Sequence, residues 1–298
     1  MTPTAPSPGL PARIVRSVPG RLVIFFVSAA LIGLVVGRVY AGLGLPHGDI
    51  PFNEVTPLIE ALRLLPIVLA YVLLVRSIES RRLTELAPRK AVPHLLLGLA
   101  GGLAAVSLVT GALGAMGAYV VDGVNHDVHW LGPILVLGVG AGVGEEIVSR
   151  GVIFRLVEEG LGTWAALLVS AIVFGGGHLW NPNATAWSAL AIALEAGLFF
   201  GLLFHVTRSL WVCMGAHAAW NVAQGPLYGI PVSGFDQHGL LASHLQGPVW
   251  LTGGAFGVEA SVVTLALGST LTAACLAVAV SRRSLVPPFW RRRHVDHG

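Results

Sequence analysis

Residues Gly140 to Arg155 read GAGVGEEIVSRGVIFR and set two adjacent carboxylates, Glu145 and Glu146, in an otherwise apolar, glycine-rich run. A carboxylate at the centre of a membrane helix costs about 2.5–3.5 kcal/mol on insertion scales, and such residues face a cavity or a partner. Two in succession double that cost, and packing gives no reason to bear it. On a helix, Glu146 and Arg150 stand four residues apart on one face and can pair. Glu145 projects about 100° away, toward something else.

The rest of the chain supplies the setting. Mean hydropathy is +0.76. Charged residues make up 11% and hydrophobic residues 54% of the 298, a charged share less than half that of a soluble domain. Several apolar runs of about 20 residues predict one polytopic, all-α membrane helix bundle of about eight transmembrane helices. The pI near 9.2 does not point to nucleic acid, because the basic residues cluster at one end of each apolar run. That is the positive-inside pattern, and it predicts both termini cytoplasmic in a cell membrane, with the lipid bilayer as the first partner. Arg38 and Arg63 depart from it. Cys213 and Cys275 lie in apolar runs without metal-binding spacing, so free thiols are expected.

In order, residues 1–20 carry five prolines with Arg13 and Arg16 and read as a disordered basic tail. Arg21 and the apolar residues 22–36 read as a first membrane helix rather than a cleaved leader, since no small-residue cleavage site follows and more spans do. The span over 55–76 holds Glu60 and Arg63 at an i, i+3 spacing that allows mutual neutralisation. The span over 94–121 is rich in Gly and Ala, as close helix packing in lipid prefers. Further spans are expected over 131–156, 163–178, 186–206, 210–228 and 260–280. The membrane domain is thus placed at 21–283, with a basic C-terminal tail over 284–298.

Four of these runs carry groups that can converge: Glu145, Glu146 and Arg150; His178; Glu195; His217 and Asn221. His217 and Asn221 share a helix face, as do Phe174 and His178, and Gly175 to Gly177 leave room beside the latter. Counting about 1.5 Å per residue places Glu145 and His217 near mid-bilayer and His178 further toward the outer side. Such a set suits water activation. Burial disfavours the charged form of a carboxylate and favours its use as a base. Glu145 and His178 would share the water, and a neutral His217 with the Asn221 amide would donate to a developing oxyanion. Glu146 with Arg150 would orient Glu145. Each residue also has a bland reading: an interhelical hydrogen bond for the histidines and Asn221, packing for Phe174, an interfacial position for His205. Glu195 would be satisfied by backbone or by Glu60 and Arg63.

EEIVSR (145–150), FGGGH (174–178) and HAAWN (217–221) resemble, in order and each on a predicted span, the EExxxR, FxxxH and HxxxN motifs of the CAAX-protease and bacteriocin-processing (Abi) family. Its members are also called type II CAAX prenyl endopeptidase-like proteins. LEAGLFFG around Glu195, NVAQG, PVSG and GPVWLTGGAFGVEAS extend the likeness over about residues 90–283. Ser149 departs from the aromatic residue that many members carry before the arginine. The resemblance implies an intramembrane endopeptidase acting on a membrane-associated peptide or protein, lipidated or not. It assigns Glu145 and His178 to water activation and His217 and Asn221 to the oxyanion, with Glu146 and Arg150 in support.

No cofactor is the preferred reading. Zinc on Glu145, His178 and His217 stays open, since the set leaves one position for water. Against it, no HExxH pair occurs and Asn221 suits an oxyanion better than a metal. Two other functions compete: a non-catalytic scaffold or immunity protein, and a proton-coupled transporter using Glu145, Glu195 and the histidines. The transporter predicts an internal repeat, and none is visible.

Overall fold

A computed structural model describes residues 14–46 and 50–292. The expected tails therefore fall partly outside it, over 1–13 and 293–298. The chain is mostly helical, with a single pair of short strands among the described residues. We label α1 Val18–Gly42, α2 Pro57–Ile78, α3 Pro88–Ala115, β1 Tyr119–Val124, α4 (131–161), α5 (163–180), α6 Ala186–Thr207, α7 (210–227), β2 Leu241–Leu245 and α8 Val262–Ser281.

Local chemistry starts and stops these helices. Ser17 caps α1 and Ser261 caps α8 through side-chain oxygens that accept backbone N–H bonds. Thr56 precedes Pro57 at the start of α2, and Thr185 with Ser188 forms a reciprocal cap on α6. Arg208 in a left-handed conformation (φ 49°) ends α6. α4 and α5 belong to one helical stretch, Leu131–Trp180, broken at Gly162 with φ 84° and ψ 173°. A Cβ there would lie 2.6 Å from the Val286 carbonyl oxygen, so only glycine fits. The chain returns on itself at the break, as shown by the Ser170 hydroxyl donating to the Ser149 carbonyl.

Six helices among the described residues are long and apolar enough to cross a membrane, where the sequence predicts about eight crossings. The difference is local. α4 and α5 count as one broken helix, and α7 is not among the six. The first span starts at Val18 rather than Arg21.

The basic ends of the helices meet at one end of the bundle. Arg21 pairs with Glu159 at 2.6 Å and with Glu79 at 3.3 Å, while Arg155 and Arg81 reach Glu79 at 2.9 and 2.7 Å. Burial pushes the Glu79 carboxyl up, but Arg155 and Arg81 outweigh it and hold it below its ordinary range. His205, in the last turn of α6 beside Arg208, is buried at 2% exposure. Its Nδ1 lies 2.5 Å from Glu158 and its Nε2 2.9 Å from Ser284. The residues after α8 dock on the α4–α5 turn, where Val286 N–H donates to the Thr163 hydroxyl and Arg292 to the Glu158 and Glu159 carbonyls.

At the other end, β1 and β2 pair antiparallel from Tyr119↔Leu245 to Val124↔Leu241, where the sequence reading has the end of the 94–121 span and loops; that helix stops at Ala115. The segment between α7 and β2 turns in over the bundle. Asn181 and Asn183 donate to the carbonyls of Ser233 and Gly234. A Cβ on Gly234 (φ 91°) would overlap the Pro182 carbonyl, so this close approach also needs glycine.

Candidate active site

Widened helical turns build the site. Glu145 and Glu146 sit on a short α segment, Gly142–Glu146, between two π-helical stretches, Ile134–Ala141 and Ile147–Phe154. Such turns concentrate at functional sites because they re-aim side chains and release carbonyls from the helical ladder. A further one, Ala193–Gly197 in α6, faces Arg150. The guanidinium takes the Ala196 carbonyl at 3.1 Å and the Gly197 carbonyl at 3.4 Å. It also donates to Glu146 Oε1 at 2.9 Å, with the Phe174 ring 4.3 Å and the Phe200 ring 5.2 Å from its carbon. Arg150 and Glu146 are fully buried.

The pairing of Glu146 with Arg150 stands as expected, but Glu146 reaches further. Its Oε1 lies 2.9 Å from His217 Nδ1. A carboxylate only accepts, so His217 Nδ1 carries hydrogen and presents Nε2 elsewhere. Glu146 therefore orients His217, where the sequence reading has it orient Glu145.

Glu145 has 40% of its side chain exposed, on the wall of a cavity of about 600 Å³. His178 begins a short 3₁₀ turn at the end of α5. Its Nδ1 lies 2.7 Å from the Phe174 carbonyl, which folds the ring back toward the preceding turn. Nε2 comes to 4.0 Å from Glu145 Oε2, an oxygen that is itself shielded and without a hydrogen-bond partner. Gly176 and Gly177 meet nothing within 4 Å of an added Cβ, so the space beside His178 is open.

Asn221 donates Nδ2 to the Leu137 carbonyl at 3.0 Å, which leaves its second amide hydrogen and its oxygen free of that bond. Glu145, Ser149, His178, His217 and Asn221 all line the same cavity. The structure thus brings all six sequence-selected residues together, four on the cavity and two, Glu146 and Arg150, behind it. Glu195 is not satisfied by Glu60 and Arg63. Those two pair loosely with each other at 4.0 Å and also line the cavity.

Residues 127–223 match the family model described as type II CAAX prenyl endopeptidase Rce1-like. The resemblance carried by the three motifs holds over this stretch. The Rce1-like segment runs through α4, α5, α6 and most of α7 and contains all six residues. No curated protein and no solved structure matches the chain. The six apolar helices, together with this match over residues 127–223, fit a multi-pass membrane protein.

Beyond the Rce1-like segment lies a polar cluster that the reading of the residues did not single out. Glu259 accepts from Gln224 Nε2 at 2.7 Å, from the Ser233 N–H at 2.9 Å and from the Ser233 hydroxyl at 3.0 Å. Burial pushes its carboxyl up to about 7, against the pull of those donors. The available signal was an acid in the apolar, glycine-rich stretch before α8. Among the described residues no three His, Cys, Asp or Glu side chains are grouped to hold a metal. Glu145, His178 and His217 share one cavity wall without being drawn into such a group, and His178 and His217 each engage Nδ1 and keep Nε2 free, as metal-bound imidazoles also do.

Proposed function

We propose that the chain is an intramembrane endopeptidase, spanning a cell membrane about eight times with both termini cytoplasmic. It would hydrolyse a peptide bond of a membrane-associated protein or peptide, lipidated or not. The observation that carries this reading is the 4.0 Å gap between Glu145 Oε2 and His178 Nε2, opening on a cavity whose wall includes His217 and Asn221.

A water about 2.8 Å from both atoms fits that gap and directs its hydrogens to the two acceptors, leaving a lone pair free. His178 Nε2 accepts because its Nδ1 hydrogen serves the Phe174 carbonyl. Glu145 takes the proton as the water oxygen bonds to the carbonyl carbon, then returns it to the departing amine as the C–N bond breaks. The oxyanion forms against the free Asn221 amide hydrogen and His217 Nε2. With Nδ1–H already given to Glu146, His217 donates from Nε2 only as the imidazolium, so the neutral donor read from sequence is replaced. Glu146 between Arg150 and His217 supplies the compensating charge, and such preorganised donors do more than any other single device to lower the barrier of acyl transfer. No step passes through a metal.

The test is cleavage of a reporter peptide by purified protein in proteoliposomes. Glu145→Ala and His178→Ala proteins with wild-type unfolding behaviour should each lose at least about 100-fold in kcat. Undiminished cleavage in either variant refutes the assignment. Full biological activity in both would favour a scaffold.

A further inference from the structure

On the far side of His178, His217 and Asn221, a second cavity of about 400 Å³ runs between α3, α6 and α8. Its walls are apolar, with Leu97 and Leu108 of α3, Phe199 and Leu203 of α6, and Leu267 and Leu271 of α8. It shares Phe174, His178, His217, Asn221 and Ser233 with the first cavity, so an occupant reaches the same reacting atoms.

Glu195 lines this second cavity and is 7% exposed. Among the described residues its carboxylate has neither a hydrogen bond nor an ion pair. The charged neighbours are engaged elsewhere. Arg150 is spent on Glu146 and two carbonyls. Glu259, also in the wall, is itself an acid and holds Gln224 and Ser233. The backbone fixes Glu195 in place, because α8 crosses it at Gly268, where an added Cβ would lie 2.6 Å from Glu195 Cβ.

A carboxylate in apolar surroundings needs a counter-charge or a donor. A lysine or arginine brings one at the end of a methylene stem that apolar walls accommodate. An inorganic cation has no use for such walls, and no third acid, histidine or cysteine completes a metal site here among the described residues. We propose that Glu195 is a specificity-determining residue, taking the cationic head of a substrate lysine or arginine at a fixed distance from the scissile bond. This rests on the endopeptidase reading above.

The probes are short leucine/alanine-based fluorescent peptides with a single lysine, arginine, norleucine or glutamate, scanned along the sequence. In nanodiscs, the catalytically silent Glu145→Gln protein should bind lysine and arginine peptides about 30-fold or more tighter than norleucine peptides at one scanned position. Adding Glu195→Gln should collapse that ratio to within about twofold, and adding Glu195→Lys should move the preference to glutamate, as loss and reversal of a buried charge pair require. Equal binding of lysine and norleucine peptides at every position overturns the proposal, as does a preference that survives Glu195→Gln. Thermal unfolding of each variant separates these outcomes from misfolding, and if Glu195→Gln unfolds, Glu195→Lys with the glutamate peptides decides. Selective binding without cleavage by the wild type would sink the endopeptidase reading and leave the Glu195 site standing.

Discussion

Arg150 is fully enclosed and holds partners of three kinds: the Glu146 carboxylate at 2.9 Å, the carbonyls of a widened turn, and two aromatic faces. Only a planar guanidinium serves all three, and a lysine does not replace it. Removing one partner of a buried pair leaves an uncompensated charge and costs about 3–5 kcal/mol. Arg150→Met should therefore unfold at a clearly lower temperature in detergent; an unchanged midpoint would contradict a charged Glu146. Glu146→Gln keeps the shape and removes the charge that the proposed imidazolium at His217 requires. It should lower kcat about 100-fold with KM nearly unchanged. Loss in KM alone would place Glu146 outside the chemistry. The Glu146–Arg150 pair was legible in sequence because it is local, four residues on one face. The Glu146–His217 bond was not, because 71 residues separate the partners and only tertiary packing decides which carboxylate the imidazole meets. The isolation of Glu195 was hidden for the same reason.

Between elements, glycine contacts set the distances on which the cavities depend. α3 lies against α7 at Gly98 and Gly102, where an added Cβ would overlap the Val212 and Ala216 carbonyls respectively. Gly101 meets nothing within 4 Å. Overpacking costs about 1–3 kcal/mol, so Gly98→Ala and Gly102→Ala should lower the unfolding midpoint while Gly101→Ala leaves it near wild type. Equal effects at all three positions would contradict the close approach. The apolar runs made the helices readable, and small residues in the third run announced tight packing. The pairing of β1 with β2 was not readable, since each strand is short and its partner lies more than a hundred residues away. Nor were the π turns, which depend on carbonyls finding partners such as Arg150 outside their own helix.

Across the whole molecule, one end is tied by the network around Glu79. Glu79 titrates below its ordinary value because Arg155 and Arg81 outweigh burial. A carboxyl depressed in the folded state contributes stability above its unfolded pKa, and that contribution is lost as pH falls through the folded value. Thermal stability should drop on acidification through the range below about pH 4.5, and Glu79→Gln should flatten that drop while lowering stability at neutral pH. A wild-type slope in Glu79→Gln would contradict the assignment. In the proposed mechanism Glu145 and His178 activate the water without a metal, so chelation before assay should leave cleavage intact; loss of activity restored by added zinc would contradict the metal-free reading. The most direct measurement of the central claim is isotopic. Membranes containing the wild type or Glu145→Gln are incubated in ¹⁸O-labelled water, and new peptide C-termini are read by mass spectrometry. Labelled C-termini that appear with the wild type and vanish with Glu145→Gln are the predicted result, and equal labelling in both would contradict it.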